Sequence, residues 1–225
     1  QILVGIKDWI VAMIISFTIW LVRLIPRQRA TRMFEGFARW FGPKIWRHKV
    51  VMDNLEIAFP EKSLEERKKL ASESWAQMAR SLIEYVHLDD IFDMDEDSAE
   101  SNNIEVKNAE QFLKLRDDGL PAILFTGHIA NFELLPMVAA RFGLEVRSLF
   151  RQPNNKHAAS HVAKARKDVS QNLIASGAGA AFKLIGALEN KEHIGLLVDQ
   201  KFRKGIKVPF FGKDAPTNTL LVGAD

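Results

Sequence analysis

Apolar residues dominate from Ile2 to Ile25, and the stretch Trp9 to Val22 carries no charge. That run predicts an N-terminal helix that anchors the chain in a membrane, with its flanks extending a core shorter than the usual span of about 20 residues. A buried core helix is the alternative. Further along, the pattern changes to helical spacing. Pro60 closes one helical stretch, and Ser63-Leu-Glu-Glu66 forms a capping box that opens a helix running to about Tyr85. Leu70, Trp75, Met78, Leu82 and Tyr85 recur along it as a packing face.

From Ile104 onward the pattern alternates between short apolar runs and helical segments. Strands are predicted at Ile104 to Val106, Ala122 to Phe125, Leu144 to Phe150 and Ile194 to Val198. Helices are predicted up to Gly119, from near Pro136 to Phe142, from about Lys156 to Ala175, and near Leu184. The expected architecture is α/β, a mixed sheet flanked by helices. Residues 1–25 are the anchor, 26–100 a helical region ending in an acidic linker, and 101–225 the α/β core.

Charge sharpens the picture at the N-terminus. Residues 23–50 hold eight Lys or Arg against the single acid Glu35, with Trp40, Phe41 and Trp46 among them. An apolar segment followed by a basic stretch is the pattern of a juxtamembrane region that stays cytoplasmic and attracts anionic lipid. A cleaved signal peptide has its cations before the apolar run and a small-residue site after it, and neither occurs here. Gln1 in place of Met points to a processed or trimmed start. The net charge of +3 and pI near 9.1 fit an anionic partner. With 225 residues, 47% of them apolar, the chain can build a substantial core, and the absence of cysteine excludes disulfides, thiolate metal sites and a cysteine nucleophile.

Candidate chemistry concentrates between Pro121 and Pro136. Thr126-Gly127 breaks the strand after Phe125, and Pro136 belongs in the first turn of a helix, so His128 and Glu133 fall in a strand-to-helix turn. Ligands of open α/β sheets bind there. An imidazole with a nearby carboxylate can serve as a general base and its orienting partner, provided a turn separates them. A capping histidine and a solvated first-turn glutamate are the alternative.

Other groupings are weaker. Arg151-Gln-Pro-Asn-Asn155 follows a strand, where an arginine can clamp a phosphate or carboxylate. Asp199-Gln200 ends another strand and opens the basic loop Lys201 to Lys207, which includes Arg203 and suits a phosphorylated headgroup or plain solvent. His157 and His161 have the spacing of a helical metal-ligand pair but no accompanying acid. Asp93-x-Asp95-x-Asp97 lacks the Gly and terminal Glu of a calcium loop and reads as a solvated linker. Gly177-Ala-Gly179 falls short of a dinucleotide fingerprint, and neither a phosphate-cradling loop nor a Gly-x-Ser-x-Gly elbow is present. Neither metal nor cofactor is expected.

An ordered set of segments resembles the lipid A biosynthesis lauroyl/myristoyl acyltransferases, a branch of the lysophospholipid acyltransferase-like superfamily. It comprises Asn54-Leu-Glu-Ile-Ala-Phe-Pro-Glu61, Gly127-His-x-x-Asn131-Phe-Glu133, Arg151-x-Pro-x-Asn155, Asp199-Gln200, Val208-Pro-Phe-Phe-Gly212 and Ala215-x-Thr217. The resemblance implies a bacterial inner-membrane enzyme with its catalytic domain toward the cytoplasm. Such an enzyme moves a fatty acyl chain from acyl carrier protein to a hydroxyacyl group of a lipid A precursor. It also implies His128 and Glu133 as a catalytic dyad and Arg151 as a substrate or phosphate ligand, and it matches Asp199 and Gln200 without assigning their individual roles; Asn131, Asn155, Asp199, Gln200 and Arg203 join Arg151 as the candidate substrate-binding residues. Finally, it implies a parent chain that continues past Asp225. Partners would be the carrier protein, the lipid A precursor and inner-membrane lipids. Acylation of another glycolipid or a lysophospholipid, or lipid binding without turnover, would use the same fold. Nucleic acid is not an expected partner, because the cations cluster beside an apolar segment and no recognition motif occurs.

Overall fold

A computed structural model describes residues 2–92, 103–150, 172–177 and 179–217, without the side chains of 2–8 and 201–204. The chain divides into two compact units: residues 16–87 with 209–213, and residues 1–15, 88–208 and 214–225.

The first unit is helical. It contains the end of α1 (Ile2–Arg23), then α2 (Arg27–Phe41), a 3₁₀ turn at Gly42–Lys44, α3 (His48–Ala58) and α4 (Leu64–Val86). Pro26 cannot donate to the ladder and holds α1 and α2 apart as separate helices. The capping box is formed: the Glu66 N–H donates to Ser63 Oγ at 3.3 Å, and the Ser63 N–H donates to Glu66 Oε2 at 2.8 Å. Val22, Ala30 and Ile83 make the buried core of this unit. A polar chain ties α2 to α4. Arg80 Nε donates to the buried Glu35 at 2.6 Å, and Arg39 pairs with Glu73 through two 3.0 Å bonds.

Among the described residues, no single helix is long and apolar enough to cross a membrane. Trp9–Arg23 and Arg27–Lys44 meet that test only together, across a bend of 120°. α1 itself runs over 22 residues, Ile2–Arg23, with Lys7, Asp8 and Arg23 as its charged positions.

The second unit holds a four-stranded sheet. Its elements are α5 (Leu88–Ile91), α6 (Glu110–Asp117), β1 (Ile123–Thr126), α7 (Leu134–Arg141), β2 (Val146–Phe150), β3 (Leu173–Ala175), α8 (Ala180–Glu189), β4 (His193–Leu197), β5 (Lys201–Phe210) and β6 (Lys213–Thr217). The order is β1-β4-β2-β3, and every pairing is parallel, which corrects the expected mixed sheet. Parallel strands need crossovers and covered faces, and their runs are apolar on both sides. On one face Leu184 and Ala187 of α8 pack against Ile194 and Leu196, with Ile123 and Ile174 beside them. On α7, Met137 packs with Leu88 of α5.

Three expectations are corrected here. Residues 104–106 form no strand, because three isolated residues find no neighbour to pair with. Leu173–Ala175 is β3 and not the end of a helix; a run this short fits either period, and pairing with β2 decides it. The basic loop after Gln200 is β5, paired with β6 in a separate two-stranded sheet. Phe202, Ile206 and Val208 recur at even positions there, a period-2 pattern that the charges obscure. Residues 93–102 and 151–171, including the Asp93-x-Asp95-x-Asp97 segment and His157 and His161, lie outside the described residues.

Candidate active site

The parallel register builds the site. Thr126 of β1 stands opposite Leu197 of β4, and the ladder continues with the Val198 N–H donating to Thr126 O at 3.0 Å. Two residues beyond those paired positions come His128 and Asp199, so adjacent strand ends deliver them to the same edge. Gly127 makes the approach possible. A Cβ there would lie 3.1 Å from Asp199 Oδ2, closer than ordinary contact.

Asp199 grips His128 twice. The backbone N–H of His128 donates to Oδ2 at 2.6 Å, and ring Nδ1 lies 2.8 Å from Oδ1. A carboxylate only accepts, so in the neutral ring Nδ1 carries the hydrogen and Nε2 keeps the lone pair. Burial raises the Asp199 carboxyl, but the hydrogen bonds from the His128 ring and backbone outweigh it and hold the carboxyl below its ordinary value. It is thus a carboxylate throughout the neutral range. A lowered carboxyl stabilises the fold above its unfolded value of about 3.9, and that contribution fades as pH falls through the folded value.

Gln200 and Phe132 complete the surroundings of the imidazole. Gln200 Nε2 lies 3.0 Å from His128 Nε2, where an amide N–H donates to the lone pair. The Phe132 ring meets the imidazole edge-on at 4.7 Å. Any hydroxyl that uses Nε2 as a base takes the place of the Gln200 amide. One neutral hydrogen bond nets only about 1 kcal/mol. Gln200→Ala is therefore expected to change turnover by no more than about tenfold, measured as kcat and KM on the purified variant.

Glu133, the carboxylate first expected to orient the ring, is buried immediately before α7, where the helix dipole favours a negative charge. The carboxylate on Nδ1 belongs to Asp199. Asn131 Nδ2 is buried and has no hydrogen-bond partner among the described residues. Ala130, one residue before it, adopts a left-handed backbone at φ 48°, the kind of local strain that sites retain. Pro136 sits in the first turn of α7, as its chemistry requires. Arg151 and Asn155 lie outside the described residues, and so does the side chain of Arg203, whose backbone is in β5.

An apolar cavity of about 80 Å³ opens between α7 and the sheet, lined by Phe132 and Glu133 and by Leu124, Val146 and Leu197 among others. Its floor includes Gly195, where an added Cβ would come within 3.0 Å of Val146 Cγ1 and 3.2 Å of Ser148 Oγ. Phe132 touches the imidazole and lines the cavity, so base and apolar space adjoin. Phe132 stands in the Gly127-His-x-x-Asn131-Phe-Glu133 segment, though its contact with the imidazole comes from the turn, and nothing in the sequence marked Gly195, whose place comes from strand register.

A parallel α/β sheet with a carboxylate-held histidine at its strand ends, beside an apolar cavity, is an arrangement that can offer a base to a substrate with an apolar part. The family model "Bacterial lipid A biosynthesis acyltransferase" matches residues 3–222, so the chain belongs to that family of acyl-transferring enzymes. Acyl transfer to a lipid A precursor is the activity of the family. No curated protein matches the chain.

Proposed function

We propose that this chain moves a fatty acyl chain from acyl carrier protein to a hydroxyacyl group of a lipid A precursor at the cytoplasmic face of the inner membrane, with His128 as the general base. The observation that carries the reading is the His128–Asp199 pair beside the apolar cavity. A secondary hydroxyl is a poor nucleophile at neutral pH and needs a positioned base. In the proposed step, His128 Nε2 takes the hydroxyl proton as the oxygen attacks the thioester carbon. The tetrahedral intermediate then collapses and expels the carrier's thiolate, which recovers the proton from the imidazolium. No covalent enzyme intermediate is required.

The remaining roles belong to the same proposal. Asp199 holds the ring tautomer and stabilises the imidazolium. Asn131 Nδ2, a buried donor, is assigned to a substrate oxygen; donors to a developing oxyanion are worth about 3 kcal/mol each. Glu133 lines the cavity, and Arg151, Asn155 and Arg203 are assigned to phosphates of the acceptor. Membrane association draws on exposed Phe17, Trp20, Leu24, Phe37, Trp40 and Trp46, with Lys44 3.4 Å over the Trp40 ring and Arg47 4.6 Å over that of Trp46.

The acyl chain is assigned to the cavity under α7. At about 80 Å³ it is smaller than the roughly 300 Å³ of the smallest usual ligand clefts, so a chain must extend beyond it or widen it. Gly195→Ala crowds the floor. The expected result is a fall of about threefold or more in transfer of the longer of two acyl chains relative to the shorter, read by competing lauroyl and myristoyl donors; one methylene in an apolar pocket is worth about 1–3 kcal/mol. The reading itself is tested by incubating the protein with lauroyl-acyl carrier protein and a Kdo-bearing tetraacyl precursor. The expected product is heavier by one acyl chain, and its absence with bound lipid would defeat the assignment.

A further inference from the structure

The helical unit contains a polar cleft of about 490 Å³, lined by Arg27, Gln28, Thr31 and Arg32 of α2 and by Arg80 and Glu84 of α4. Three guanidiniums line it with the Glu84 carboxylate, and the buried Glu35 carboxylate pairs with Arg80. Cations belong at helix C-termini, yet the first turn of α2 holds Arg27 and Arg29 and no acid, and Pro26 provides no capping side chain. Repulsion among these groups falls if an anion enters.

The cleft is also held in shape. The buried Glu35 carboxylate takes Arg80 Nε at 2.6 Å, which fixes the guanidinium by one edge while 46% of the side chain remains exposed. Arg32 Nε is likewise tied, to Gln28 O at 3.3 Å. Thr31 is buried at the cleft wall. Arginines anchored through Nε present their terminal nitrogens as a planar fork, the geometry that suits phosphate oxygens. The cleft lies at the start of α2, only three residues after α1 ends, and Phe17, Trp20, Leu21 and Leu24 are exposed just before it. A phosphate presented there has an apolar surface next to it in the chain.

We propose that Arg27, Arg32 and Arg80 form a phosphate-binding site, filled by the headgroup phosphate of an anionic phospholipid. The inference does not rest on acyl transfer, and its test does not read turnover.

The test measures partition of the whole protein onto vesicles of phosphatidylcholine with and without phosphatidylglycerol at physiological salt. Exposed apolar residues bind both kinds, and both headgroups carry a phosphate, so the preference for phosphatidylglycerol isolates recognition of a phosphate whose charge no choline cation offsets. Arg32→Gln is expected to cut that preference about tenfold, and Arg29→Gln, which removes the same charge outside the cleft, no more than about twofold. Glu84→Gln removes the opposing carboxylate and is expected to raise the preference, a gain that misfolding cannot imitate. Binding to phosphatidylcholine alone stays constant in all three.

A second arm distinguishes the source of the phosphate. If inorganic phosphate or glycerol phosphate raises the melting temperature of the parent but not of Arg32→Gln, while vesicle preference is unchanged, the site is a phosphate site served from solution, and the headgroup assignment is overturned. Equal losses for Arg32→Gln and Arg29→Gln, with no gain for Glu84→Gln and no stabilisation by phosphate, would mean only diffuse surface charge and would sink the proposal.

Discussion

Replacing His128 with alanine is expected to lower kcat by about 10² to 10⁴ while leaving binding of the lipid acceptor within a few fold, because the change removes the proton acceptor and little of the binding surface. Its side chain is about one third exposed, so removal leaves little cavity. The fold should survive, and the melting temperature should move by only a few degrees. Two assays check the split: turnover by product mass and acceptor binding by titration. If KM changed in step with kcat/KM and kcat did not, His128 would be a binding residue. The neighbouring Phe132 should keep its place, since its ring also lines the cavity wall.

Replacing Asp199 with asparagine is the second large effect. The amide is nearly the same size, but it supplies an N–H where a carboxylate oxygen accepted. Two groups of His128 depend on that carboxylate, the backbone N–H at 2.6 Å and Nδ1 at 2.8 Å. Loss of the negative charge destabilises the imidazolium formed in the reaction, and a donor facing Nδ1 favours the tautomer that places the hydrogen on Nε2. A base with its hydrogen on the reacting nitrogen cannot accept another. The expected fall in kcat is about 10² to 10⁴, the upper end known for a comparable change in a serine protease triad. The acid limb of stability that the lowered Asp199 carboxyl contributes should vanish in the same variant, because asparagine does not titrate.

Much of the local structure was legible in the chain. The capping box at Ser63 and Glu66 is a local device, and it formed as its spacing dictates. Pro136 placed the start of α7, and Thr126-Gly127 placed the turn carrying His128. These features depend on residues a few positions apart. What was not legible depends on pairing across the chain. His128 and Asp199 are 71 residues apart and meet only because β1 and β4 are neighbours with Thr126 opposite Leu197. No periodicity within either strand encodes that register. Glu133, five residues from the histidine, was the more visible carboxylate for that reason alone. The same limit explains β3 and β5, whose identity as strands is decided by partners. At the apolar N-terminus the run of apolar residues marked a helix, and α1 forms over Ile2–Arg23 before Pro26 separates it from α2.

Asp199 acts in catalysis only through His128 in this mechanism, and a double-substitution cycle separates that from an independent role. Acyl transfer to the tetraacyl precursor would be measured for the parent, His128→Ala, Asp199→Asn and the combined variant. With the base absent, a residue that works by orienting it has nothing left to contribute. The combined variant is expected to be as slow as His128→Ala, within about twofold. Losses that multiply would contradict it, because Asp199 would then act on the substrate independently of the imidazole.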